Sequence, residues 1–506
     1  MANAKLLLLG ARVFRFGQDH DLPPLADVLV DSGRILAIGQ REQLGHAAHG
    51  AQEIDLSGCL LLPGFVNAHY HSHDVLAKGC FEATPLEQWS LVSGPLANRR
   101  SLAEIRIRTL IGAIEALRNG VTTVQDFCSF EPLDDGVVDA ILDGYEEAGI
   151  RVVFSITVRD RSQLDTIPWA RELVPAHLRP VVGESAHDAA MQLEFIERQI
   201  ERVGDRNGMV IWALSPSAPQ RCSPELLRGL AEIASRRKLP VYTHVYETRA
   251  QRQFAALSFQ RYGGSLIDYM ESVGLLGPHV SIAHGVWPDH SEMEKLARTG
   301  AAVVLNMLSN LRLKSGVAPI QAYRSLGVAL ALGCDNCSCS DTQNMFQVMK
   351  LYCLLGGIMD PGPQTPTAVE SLRLATLGGA RTAGKADKLG AIEPGMCADL
   401  IALDLSDPAF RPLNSVVRQV VYSETGRSVR HVWVNGSQVV RDGKSSHVDE
   451  TALVTELAAL MPNVSRDIAR LRAGAEPLQS CFAEIQRRAW AIPVGFNRFL
   501  RDFDVQ

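Results

Sequence analysis

Between residues 60 and 335, short apolar runs recur eight times, and most of the gaps between them carry amphipathic stretches. The runs lie at 60–66, 121–127, 151–158, 209–214, 240–245, 280–284, 301–306 and 328–335. Apolar residues at helical spacing fill 103–118, 189–202, 224–237, 291–299 and 321–326. A helix after each strand carries the chain back to the same edge, so strands joined this way run parallel. Eight such units predict an α/β fold, a (β/α)8 TIM barrel. The longest irregular connection, 159–185, is rich in Pro and Arg, and long loops in compact domains tend to carry function.

The flanks read differently. Strand candidates crowd 5–9, 12–16, 27–31, 34–39 and 52–55, broken by turns such as Asp31-Ser32-Gly33. The pattern returns after residue 386, at 399–403, 416–422, 429–435 and 438–441. Neither flank alone has enough strands to bury a core. The expectation is therefore a small β-sandwich built from 1–61 and 386–445, around a catalytic barrel of 62–385. Residues 446–506 form a helical C-terminal extension whose apolar end holds Trp490, Phe496 and Phe499. It is a packing arm or a subunit contact.

Composition excludes other classes. Lys plus Arg is 50 against 56 for Asp plus Glu, a net charge of −6, which disfavours nucleic acid or an anionic membrane as a partner. No apolar run approaches the roughly 18 residues of a membrane span. Leu6 to Leu9 lack the small-residue cleavage site of a signal peptide. Ten scattered cysteines then read as free thiols. The expectation is a cytoplasmic protein.

The strand ends hold the chemistry. Residues two apart on a strand share a face, so His69 and His71 can reach one metal ion together. The fifth strand runs into His244 and Glu247, the sixth into His284, and the eighth into Asp335. In such barrels these ends carry the active site. Three imidazoles and a carboxylate suit a mononuclear zinc or iron centre with room for water. Each fragment alone could equally be a core or surface residue. Cys334, Cys337 and Cys339 bracket Asp335, but no second pair at ligand spacing follows them, so they read as buried thiols. His73 extends the alternation past the strand end, as a solvated loop residue or a contact near the site.

These motifs resemble the amidohydrolase superfamily, in the branch of s-triazine hydrolases, adenosylhomocysteine-type deaminases and guanine deaminases. The likeness runs from about Lys5 to Asp442, through residues 62–69, 116–124, 309–319, 375–380, 389–400 and 432–436. It implies that His69, His71, His244 and Asp335 hold one divalent metal, Zn2+ or alternatively Fe2+. Binuclear relatives carry a lysine at the fourth strand's end, and 212–220 has none. The likeness also implies catalytic roles for Glu247 as proton shuttle, His284 either at the water and leaving group or as a further metal ligand, and Asp335 as ligand and proton acceptor. Trp89, Asn306, Ser309 and Asn310 fall where relatives shape the substrate pocket.

Asn98 stands where nucleoside deaminases of this branch usually have a ribose-binding glutamate, which favours a free heterocycle. The implied function is a triazine-hydrolase-like aminohydrolase that attacks an sp2 ring carbon and releases ammonia, amine or halide. The alternatives are an adenosylhomocysteine- or methylthioadenosine-type nucleoside deaminase, or an amide or carbamate hydrolase on the same scaffold. A small heterocyclic substrate and a homodimer or larger homo-oligomer are implied.

Overall fold

A computed structural model describes residues 5–183, 188–360 and 362–499. Residues 1–4 and 500–506 of the expected end segments, with Glu184 and Ser185 of the expected long loop, lie outside the described residues.

The barrel strands are Phe65–His71, Val121–Cys128, Arg151–Val158, Val210–Trp212 continued by Ser215–Pro216, Val241–Val245, Val280–His284, Ala302–Leu305, and Ala329–Leu332 continued by Asp335–Asn336. Every pairing between them is parallel. Strands one to four form one sheet and five to eight a second. A single bridge from Leu214 to Val241 links four to five. On the other side, Asp335 and Asn336 pair with Tyr70 and His71 of strand one. The fold is TIM-barrel-like. The five expected helices appear as Leu102–Arg118, Ala189–Val203, Pro224–Arg237, His290–Thr299 and Ile320–Leu326. Several are capped as their sequences suggest: Ser101, Asp188, Ser223 and Asp289 each accept a first-turn N–H.

The expected first strand, 60–66, is divided at Gly64. A Cβ there would meet Thr122 Oγ1 at 2.2 Å, so only glycine lets the chain pass. Cys59–Pro63 belongs to the small module, and the barrel strand starts at Phe65.

Both flanks join one nine-stranded sheet. Cys59–Pro63 stitches them together, pairing in parallel with Leu6–Val13 and antiparallel with Leu400–Asp404. The pairing thus runs from one flank to the other through one continuous path. Period-two alternation gives each face its own core. Leu61, Leu400 and Ala402 pack with Val28, Val30 and Trp433, whereas Leu60, Leu62, Ile401 and Leu403 join the barrel's core. The separate strands expected at 5–9 and 12–16 are one strand with a register shift between Leu8 and Ala11.

Two other expectations change. Residues 416–422 form a helix, Val416–Tyr422, and not a strand. The connection after strand three is built of short turns, Gln163–Asp165, Ala170–Leu173, Ala176–Leu178 and Arg179–Val182. The C-terminal extension contains the helices Glu450–Ala475 and Gln479–Ala491. Trp490, Phe496 and Phe499 all pack on Trp287, as an arm held by its own chain. Among the described residues no helix is long and apolar enough to cross a membrane.

Candidate metal centre and active site

The carboxyl ends of strands one, five, six and eight bring His69, His71, His244, His284 and Asp335 together. Ligand atoms of His69, His71 and His244 lie within 4.8 Å of one another, as do those of His69, His284 and Asp335. The two triads share His69 and describe one centre. Asp335 Oδ1 lies 3.3 Å from the Nε2 atoms of both His69 and His71. All ten cysteines are free, and Cys334, Cys337 and Cys339 are buried outside this cluster.

The hydrogen bonds fix the ring tautomers. His71 Nδ1 donates to the carbonyl of Phe127 at 2.8 Å, and His244 Nδ1 to that of Ser217 at 2.7 Å. With each Nδ1 carrying the proton, each Nε2 keeps its lone pair. Those two Nε2 atoms face each other at 3.3 Å. Two lone pairs at that distance repel unless a cation lies between them. His69 is fully buried, and neither ring nitrogen has a hydrogen-bond partner, which is costly for a polar group without a ligand. Burial holds His69 down at about 4, and burial with His69 and His71 nearby holds His244 well below the usual range. Burial alone would raise the Asp335 carboxyl, but His69 and His71 outweigh it and keep it ionised. His71 differs from His69 and His244: burial would lower it, but Asp335 raises it. Imidazoles around a carboxylate are nonetheless the donor set of a divalent metal, which binds them in their neutral form. These residues fit one.

Glu247 and His284 stand beside this cluster. His284 Nδ1 pairs with Asn310 Oδ1 at 2.8 Å, which turns Nε2 toward Glu247 Oε2 at 3.5 Å and Asp335 Oδ2 at 3.7 Å. Glu247 is 3% exposed, and its Oε1 has no partner. Burial, then Asp335 and Glu87, pushes its carboxyl well above the usual carboxylate range. His284 and Asp335 both have left-handed backbones, at φ 72° and 68°. Such geometry costs non-glycine residues about 1–3 kcal/mol and clusters at functional sites.

Residues 60–439 match the amidohydrolase family. The chain belongs to the amidohydrolase family. It is an enzyme acting on carbon–nitrogen bonds other than peptide bonds. The 5'-deoxyadenosine deaminase of Methanopyrus kandleri is 31% identical over 432 residues, covering 85% of this chain and 93% of that protein. The 5-methylthioadenosine/S-adenosylhomocysteine deaminase of Syntrophobacter fumaroxidans is 30% identical over 453 residues, covering 89% and 96%. A zinc-bound adenosine deaminase from Xanthomonas campestris superposes with a TM-score of 0.76 at 24% identity, over 93% of this chain and 99% of that one. A zinc complex of atrazine chlorohydrolase from Arthrobacter aurescens TC1 gives 0.77 at 24%, over 90% and 100%. At that identity the two structures speak for the fold alone.

In this amidohydrolase a cavity of about 230 Å3 opens above the cluster. Trp89 and Asn98 line it together with Glu247, His284, Arg159 and Arg221. Trp89 Nε1 donates to Ser338 Oγ at 3.1 Å, which fixes the ring as a wall. Asn306, Ser309 and Asn310, expected to touch substrate, are not in that wall. Asn306 is fully buried, Ser309 Oγ donates to its carbonyl, and Asn310 acts on His284. Ser309 and Asn310 are buried in the helix Met307–Arg312, which Asn306 precedes. His73 does line the cavity, with its Nδ1 unpartnered.

Other residues at this amidohydrolase site have no sequence signature. Asn67 bonds Gln343 and the amide of Cys334, and Gln343 donates to the carbonyl of Asp335. Asp74 accepts the N–H groups of Cys337 and Ser338. These contacts brace strand eight against strand one. The stretch after strand four, notable in sequence for lacking lysine, contributes Arg221, which burial and Arg159 bring down to about 10. It remains a cation.

Proposed function

We propose that the protein is a zinc-dependent aminohydrolase that removes an amino group from an sp2 carbon of a small nitrogen heterocycle. The observation that carries this reading is the buried Glu247, whose carboxyl burial raises well above the usual range, beside His284 of the metal-ligand cluster and in the lining of the cavity. A bound divalent ion would supply the Lewis acidity that makes a water nucleophilic near neutral pH. Glu247 then has the position and the proton to protonate a ring nitrogen, and its carboxylate can carry a proton to the leaving amine. His284, with Nδ1 held by Asn310, presents Nε2 to the water and the developing charge. Asp335, ionised among the imidazoles, accepts the proton of the attacking water.

The names of the curated relatives support a nucleoside as substrate. Asn98 in the cavity wall supports a free ring. The test is ammonia release by zinc-loaded protein over aminotriazines, aminopyrimidines, pterins, purines and 5'-substituted adenosines. Turnover of the adenosines alone selects the nucleoside, and turnover of a free ring selects the heterocycle. Silence across the panel with zinc bound would sink the aminohydrolase reading in favour of amide or carbamate cleavage.

A further inference from the structure

The C-terminal extension lies beyond residue 439, where the family match ends, yet it touches the loops that surround the cavity. Ala475, Leu478, Phe482 and Ile485 form one apolar cluster with Leu91 of the cavity-lining helix Leu86–Ser93 and Ile167 of the turns after strand three. Arg249 Nε donates to the carbonyl of Ala489 at 2.9 Å, and Gln253 Nε2 to that of Ile492 at 3.1 Å. Both donors lie on Arg249–Ser258, the helix that follows Glu247. Farther along, Arg498 Nε reaches the carbonyl of Val286, just after His284, and its own carbonyl accepts from Val317 N.

One contact in this strap is polar and buried. Gln486 Nε2 donates to Glu87 Oε2 at 2.6 Å, and the other oxygen of Glu87 accepts from Thr248 Oγ1 at 2.5 Å. Glu87 is 5% exposed. Thr248 is the next residue after Glu247, and its Oγ1 also accepts from Gln251 N. Gln251 Oε1 in turn accepts the N–H of Glu247 at 2.8 Å. A continuous chain of hydrogen bonds therefore leads from the extension to the backbone of Glu247. Simple packing would need only the apolar cluster. A buried carboxylate with one donor from the tail and one from the catalytic turn is costly to build unless both ends are held.

We infer that the C-terminal extension is a working part of the active site, with Gln486 as a positioning residue that acts through Glu87 and Thr248 on Glu247. A group that must move a proton tolerates little misplacement, and shifts of about 1 Å can cost about 100-fold in rate. The extension also clamps Leu86–Ser93 over the cavity, so that Trp89 stays in the wall.

The activity arm of the test rests on the aminohydrolase reading; a second arm does not. Gln486→Leu keeps the volume and removes the donor. In zinc-loaded full-length protein it should lower kcat for ammonia release about tenfold or more, with KM nearly unchanged. The paired exchange Glu87→Gln with Gln486→Glu reverses the polarity of the bond while still accepting from Thr248, and it should restore most of that kcat. Independently of any substrate, amide hydrogen exchange over 86–93 and 246–253 should accelerate in Gln486→Leu and return to the wild-type rate in the exchanged pair. Folding of each variant is checked by its melting curve. An unchanged kcat with unchanged exchange in folded Gln486→Leu overturns the inference, as does an exchanged pair no better than the single variant. If the wild type deaminates nothing in the panel, the aminohydrolase reading falls, and the hydrogen-exchange arm alone decides this one.

Discussion

Glu247 presents one carboxyl oxygen to His284 at 3.5 Å and leaves the other without a protein partner. Glutamine at this position preserves the shape and removes the titratable proton. Glu247→Gln should therefore retain bound zinc by elemental analysis while ammonia release falls by about 100-fold or more; retained turnover removes Glu247 from the chemistry. Asn310 acts one bond farther out, through His284 Nδ1. Asn310→Ala should lower kcat about 10- to 100-fold with unchanged metal content, and an unaltered kcat would show that His284 needs no such hold. At this scale the sequence exposed the residues that alternate at strand ends, His69, His71, His244, His284 and Asp335. It did not expose Asn67, Gln343 or Glu87. Their partners lie 276 residues away for Asn67 and 161 and 399 for Glu87, and no local spacing records a contact of that range.

Among the elements, the helix Val416–Tyr422 was the one most concealed by its composition. A Val-rich run has the propensity of a strand, but Val416, Val417, Val420 and Val421 are buried at i, i+1, i+4 and i+5, a helical face. Ser415 supplies the start: its Oγ accepts from Arg418 N and donates to Asp21 Oδ1. Ser415→Ala should cost about 1–2 kcal/mol in urea unfolding; a neutral change would mean that packing alone holds the helix. The strands Val429–Val434 and Ser437–Arg441 fall within a residue of their expected positions, and they carry a pH dependence. His431 Nδ1 accepts the N–H of Asp442, and burial lowers the ring's pKa despite Asp442 nearby. Its folded value thus lies below the unfolded value of about 6.5. The stability it contributes is complete above that value and is lost as pH falls through the folded value. Wild type should lose stability relative to His431→Gln between pH 8 and pH 5, and a constant difference across that range contradicts the assignment.

At the scale of the whole molecule, the eight-unit spacing made the fold class legible, because a parallel strand needs a crossover and crossovers have a characteristic length. The joint between barrel and flanking sheet was not legible, because it depends on which of two adjacent leucines faces which core. The structure resolves this at Leu60 and Leu61, which belong to different clusters, and at one ion pair. Arg151, at the start of strand three, meets Asp399 through Nη2 to Oδ1 at 3.0 Å, with both groups about 95% buried. Asp399 Oδ1 also accepts from Asn435 N at 2.7 Å. Asp399 therefore bonds the barrel through one side-chain contact and a hairpin of the flanking sheet through another. Removing one partner of a buried pair leaves the other charge uncompensated, at a cost of about 3–5 kcal/mol. Asp399→Ala should lower the unfolding free energy by that amount. Because the cores share the strand Cys59–Pro63 and its neighbour Leu400–Asp404, the loss should appear as a shift of one cooperative transition, read alike by far-ultraviolet dichroism and by amide hydrogen exchange over 429–441 in the flanking sheet and 151–158 in the barrel. Two separated transitions, with the flanking sheet melting first, would show that barrel and sheet are energetically independent and that the ion pair joins them without coupling them.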